Sequence, residues 1–95
     1  VNACPDISGS RYGERGRRLY AIQDATIFAS YIQLAATSLG LDTVWLGAFD
    51  EEQAQSALGL DSESVPVALM PIGYREETPR YTPRKPLDYL VYKRV

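Results

Sequence analysis

Between Arg18 and Leu39 the apolar residues Leu19, Ile22, Ala25, Ala29, Ile32 and Ala36 recur at three- and four-residue steps, the signature of one helix face. Ile27, Phe28, Tyr31, Leu34 and Ala35 fill much of the remaining circumference, so the spacing predicts a helix that is apolar nearly all round and buried. Gly40 follows as its stop. Thr43 to Leu46 is a short β-branched and aromatic run that reads as a strand. Asp50, with Gln53 three residues on, then forms a capping-box pattern for a helix to Leu58, which Gly59 closes. Ser64 to Tyr74 alternates through Val65, Val67, Leu69 and Ile72 as a second strand. Pro66 and Pro71 remove ladder donors there, which requires an edge position, a bulge or a break near Pro71. Pro79, Pro83 and Pro86 forbid a continuous helix beyond Arg75 and favour an extended arm, with Leu87 to Tyr92 alternating or turning once more. At the front, Val1 to Ala3 reads as the tail of a strand and the Gly, Ser and Arg of Asp6 to Gly16 as a loop.

This order predicts an α+β chain forming a single partial domain. Its parts are a loop over residues 1–17, a buried helix over 18–40, a strand–helix–strand unit over 42–74 and an arm over 75–95. Ninety-five residues bury only about 60–65% of their unfolded surface at best. Two short strands and one very apolar helix leave apolar surface in need of cover, from another chain or from an N-terminal half absent here.

Composition narrows the chemistry. An apolar content of 45% argues for a folded chain, and no apolar run reaches the roughly 18 residues of a membrane span, so the expectation is a cytoplasmic protein without a membrane partner. The net charge of −2 gives no general attraction to nucleic acid. Charge is nevertheless uneven. Arg11 to Arg18 holds four Arg against one Glu, and Asp42 to Glu63 holds six acids and no base. Beyond Arg75 the chain is basic again, so an anion site fits either end. Cys4 is the only cysteine, which excludes an internal disulfide and reads as a small loop residue. No histidine is present, which removes Ser-His and Cys-His catalysis and most zinc sites; no metal is expected. An enzyme built from these residues borrows its reactive group from a cofactor, and a flavin fits because it asks the protein mainly for binding and orientation.

The run Thr43-Val44-Trp45-Leu46-Gly47-Ala48-Phe49-Asp50 carries the most information. Gly47 has no Cβ and Ala48 only a methyl, so a flat ligand can approach the main chain closely where the strand ends. With Leu39-Gly40-Leu41 before it, and Pro71-Ile72-Gly73-Tyr74 and Pro83-Arg84-Lys85-Pro86-Leu87 after it, the chain resembles the C-terminal half of the FMN-dependent nitroreductase family from about Arg11 onward. The resemblance implies a mixed sheet flanked by helices, an intimate homodimer with flavin sites built from both subunits, and a C-terminal arm exchanged with the partner. It also implies FMN as cofactor. Trp45, Leu46, Gly47 and Ala48 would lie beside the isoalloxazine ring, with the Gly47 N–H facing flavin N5 and the Trp45 side chain itself weighted toward core packing. Arg84 would reach the FMN phosphate with two parallel N–H bonds, and Lys85 would add a looser charge.

The implied activity passes two electrons from NAD(P)H through flavin to a nitroaromatic, quinone or similar acceptor. The loop Arg11-Tyr12-Gly13-Glu14-Arg15-Gly16-Arg17-Arg18 resembles a run found before the long helix in several relatives. It would meet the phosphates of a nicotinamide donor, line the substrate mouth, or serve as a charged loop at a subunit contact. No Gly-x-Gly-x-x-Gly follows a strand, so a Rossmann fold is not assigned. Tyr74, Tyr81, Tyr89 and Tyr92 suit either a subunit interface or their own core. Family members are about twice this length, and their N-terminal half supplies further phosphate, ribityl and ring contacts. The alternative is therefore a non-catalytic remnant that dimerises or binds flavin without that half.

Overall fold

The structure is a computed structural model that describes residues 1–91 and 93, so the expectations attached to Tyr92 lie outside the described residues. The elements run β1 (Asn2–Ala3), α1 (Pro5–Arg15), a π-helical turn (Gly16–Tyr20), α2 (Ala21–Ser38), β2 (Asp42–Thr43), α3 (Glu51–Leu58), β3 (Val65–Pro66), β4 (Ile72–Gly73) and α4 (Leu87–Leu90). The class is α+β, as the pattern predicts.

The segment from Val65 to Gly73 is the spine of two antiparallel ladders. β1 pairs with β3 through Asn2↔Pro66 and Ala3↔Val65. That ladder is lengthened by the Val67 N–H donating to the Val1 carbonyl at 2.9 Å and the Val1 ammonium donating to the Ala68 carbonyl at 2.8 Å. β2 pairs with β4 through Asp42↔Gly73 and Thr43↔Ile72, and the same register carries on to a Leu46↔Leu69 bridge with two hydrogen bonds of 3.0 Å. The expected single strand over Ser64–Tyr74 is thus interrupted between Pro66 and Ile72, beside the two prolines that withhold donors.

Local signals explain the ends of α2 and α3. After α2, Gly40 adopts φ 73°, the Leu41 N–H reaches the Ala36 carbonyl at 2.9 Å and the Gly40 N–H reaches Thr37 at 3.1 Å, a Schellman stop. α3 ends in the same way at Gly59, with φ 62° and Leu60 N–H on the Gln55 carbonyl. Its start is capped by Asp50, whose Oδ1 accepts from the Gln53 N–H at 2.8 Å. The Gln55 side chain then donates to the carbonyl of buried Ser64, fastening α3 beside β3.

The expected loop over residues 1–17 is instead β1 followed, from Pro5 onward, by helix. Pro5 in the first turn and Asp6 beside it start α1, and Arg17 closes an ion pair onto Asp6. The glycines that read as loop composition serve packing. A Cβ at Gly9 would meet the Arg17 side chain at 2.4 Å, and one at Gly16 would stand 2.4 Å from the Ser8 carbonyl oxygen. Gly13 bends the chain between them, at φ 62° and ψ −148°, a conformation open in practice to glycine alone.

The expectation that residues 18–40 form a fully buried helix is also corrected. α2 buries one small-residue stripe, Ala21, Ala25, Ala29 and Ala36, of which Ala21 and Ala25 cluster with Ala3 of β1. Phe28, Tyr31 and Leu34 are 60%, 65% and 67% exposed, because no described segment of this chain covers that side. The core is built from alanines with Val1, Ile22, Val65 and Val67, and among the described residues no large side chain is fully buried. No helix among them is long and apolar enough to cross a membrane.

Candidate functional site

The Leu46↔Leu69 bridge is the last tie of the β2 ladder, so Gly47 is the first residue beyond it. Gly47 and Ala48 are exposed, Leu46 is largely exposed and Trp45 is half-buried. Among the described residues the Gly47 N–H donates to no acceptor, which leaves a peptide edge open to a ligand. The Trp45 indole borders that edge: a Cβ at Gly47 would lie 3.4 Å from its Nε1. These residues fit a flat ring with a hydrogen-bond acceptor, since the donor is free and, of the described residues, only the Trp45 indole lies within 4 Å of the Gly47 Cβ position.

Arg84 and Lys85 occupy the arm that leaves β4. The Arg84 guanidinium donates to the Thr82 carbonyl at 2.9 Å, and the Lys85 ammonium sits 4.3 Å from the Tyr89 ring centroid. Both side chains are exposed, and among the described residues no hydrogen bond, ion pair or ring contact joins them to Trp45–Ala48. Tyr74, Tyr81 and Tyr89 are likewise exposed, so they form no core of their own.

Two features escaped the sequence pattern. A cleft of 530 Å³ opens between β2, β4 and the root of the arm, where Arg75 pairs with Asp42 at 3.0 Å and the Thr43 hydroxyl is buried without a partner. The second is a ring cluster at the π-helical turn. Tyr12 and Tyr20 meet edge to face at 5.4 Å, Arg11 lies over Tyr12 and Arg15 over Tyr20. The spacing of Tyr12 and Tyr20 gives no helical signal because a kink and a π-helical turn lie between them. Cys4 is an exposed free thiol, and among the described residues no group of three or more His, Cys, Asp or Glu is placed to hold a metal ion.

The profile of the nitroreductase family matches residues 7–74, and the chain belongs to that family. The match includes Trp45–Ala48 and stops short of Arg84. Over 82 residues the chain is 32% identical to Bacillus subtilis YodC, which carries the name of an NAD(P)H nitroreductase, covering 86% of this chain and 41% of that protein. It is also 32% identical over 79 residues to a Thermus thermophilus NADH dehydrogenase, covering 83% and 38%. A crystal structure of a nitroreductase family protein from Streptococcus pneumoniae superposes with a TM-score of 0.76 at 26% identity, over 93% of this chain and 44% of that one. The chain thus spans well under half the length of these relatives.

Proposed function

We propose that this chain is the ring-facing part of an FMN-dependent oxidoreductase, which takes two electrons from NAD(P)H and delivers them to a nitroaromatic, quinone or similar acceptor. The observation that carries the reading is the open Gly47 N–H beyond the Leu46↔Leu69 bridge, in a chain of this family. FMN supplies hydride chemistry when bound. The protein's part is placement: Gly47 and Ala48 keep the edge clear, and the Gly47 N–H donates to the ring. Once water is excluded, such a bond contributes about 1–3 kcal/mol. Arg84, whose only described hydrogen bond is to the neighbouring Thr82 carbonyl, is free to turn its planar fork toward a phosphate, with Lys85 adjoining.

The reading includes assembly, because no described segment of this chain covers Phe28, Tyr31 and Leu34 of α2. We assign that role to a second copy, paired through the exposed face of α2 and the tyrosine-bearing arm, with the N-terminal portion typical of the family completing the cofactor contacts. The chain exposes 7999 Å², where a compact monomer of 10.6 kDa exposes about 5,500 Å². The excess is of the size that obligate interfaces bury. The same excess favours a second reading, a non-catalytic association module.

A spectrum separates the two. FMN added to the purified chain is expected to shift its visible absorption on binding and to bleach with NADH. Bound flavin that stays coloured supports the association module, and no spectral change even when the N-terminal portion typical of the family is supplied overturns the flavin reading.

A further inference from the structure

The β2–β4 ladder ends at Asp42↔Gly73, and two residues further on the Arg75 Nε donates back across it to the Asp42 Oδ2 at 3.0 Å. Glu76 and Glu77 stand next to Arg75 in sequence, yet among the described residues neither forms an ion pair; the guanidinium takes the carboxylate on the neighbouring strand instead. Asp42 is well placed to receive it. Its backbone is held in the ladder, directly after Leu41, whose N–H is fastened to the Ala36 carbonyl at the end of α2. Past this pair the chain is loosely attached. Among the described residues no backbone hydrogen bond joins residues 74–85 to the sheet, and the one described hydrogen bond of Arg84 is to the nearby Thr82 carbonyl. Glu77 and Pro79 line the 530 Å³ cleft together with Thr43, Val44 and Ile72 without pairing to them. Arg84 lies nine residues beyond Arg75, about 30 Å at full extension, so a turn of about 20° at the root displaces it by about 10 Å.

We infer that Asp42 and Arg75 are positioning residues: their ion pair fixes the direction in which the arm leaves the sheet, and with it the volume that Arg84 and Lys85 can search. The pair is charge-assisted and half-exposed, so it sets a bias that salt weakens. The inference rests on the flavin reading only for what Arg84 is aimed at.

Trp45 is the chain's one tryptophan, which makes it a donor for energy transfer to a dye on the arm. With Cys4→Ser removing the other thiol and Tyr81→Cys carrying the acceptor, labelled chain diluted into unlabelled chain reports the distance within one copy. A narrow distribution of distances is expected. Asp42→Ala and Arg75→Ala each broaden and shift it, the double variant does no more than either alone, Asp42→Glu restores it, and about 1 M salt reproduces the change without substitution. An unchanged distribution in both single variants, with native circular dichroism, overturns the inference, and so does a double variant whose change is the sum of the two. FMN titration supplies the second readout: Asp42→Ala is expected to weaken FMN about threefold and leave riboflavin, which has no phosphate, unaffected. Equal weakening of both removes Asp42 from the placement of Arg84. The transfer measurement needs no flavin, so a chain that binds no FMN removes the flavin reading while the distances still decide what directs the arm.

Discussion

Gly16 sits in a tight place, because the methyl of an alanine there would collide with the Ser8 carbonyl, a backbone atom that cannot swing aside. Gly16→Ala is expected to cost about 1–3 kcal/mol of overpacking strain. That lowers the melting temperature by about 4–8 °C per kcal/mol in a chain this small, read by thermal circular dichroism. Gly47 has ordinary room, with only the Trp45 indole near its Cα, so its substitution tests ligand approach more than folding. Gly47→Val is expected to weaken FMN about tenfold or more in a fluorescence titration, and an unchanged affinity places the ring elsewhere. Arg84→Ala is expected to weaken FMN by about 1.5–3 kcal/mol and leave riboflavin, which lacks the phosphate, unaffected. Equal losses for both would remove Arg84 from the phosphate.

Among the elements, α3 is the one most completely specified by its own residues: Asp50 caps it, Glu51 and Glu52 complement its dipole and Gly59 ends it. Asp50→Ala should therefore cost about 1 kcal/mol in urea unfolding, the usual worth of a cap. The same local logic made Gly40, Gly59 and the break beside Pro71 legible in the sequence. α1 was not legible, because Gly9, Gly13 and Gly16 have the composition of a loop, while Gly9 and Gly16 stand against Arg17, Ser8 and Tyr12, contacts that appear only when the chain folds back on itself, and Gly13 turns the chain at a positive φ. Gly47 was legible as an open edge for the opposite reason: a small residue after a strand needs no partner to be exposed. The cation–tyrosine cluster depends on a π-helical register that no 3.6-residue periodicity announces.

At the scale of the molecule, the radius of gyration of 16.6 Å exceeds the about 12 Å of a compact domain this long. The apolar residues of α2 that the pattern places all round the helix are buried on one side and exposed at Phe28, Tyr31 and Leu34. Replacing Phe28 and Tyr31 together by Glu is expected to abolish self-association in light scattering while leaving helix content intact, since both side chains are already exposed. A dimer undisturbed by that change would move the contact to the arm. The alanine core has a further result for solution work on the separate chain: unfolding uncovers little new apolar area. Its denaturant m-value should lie below the norm for 95 residues, and its heat-capacity step should be correspondingly shallow until association supplies the missing burial.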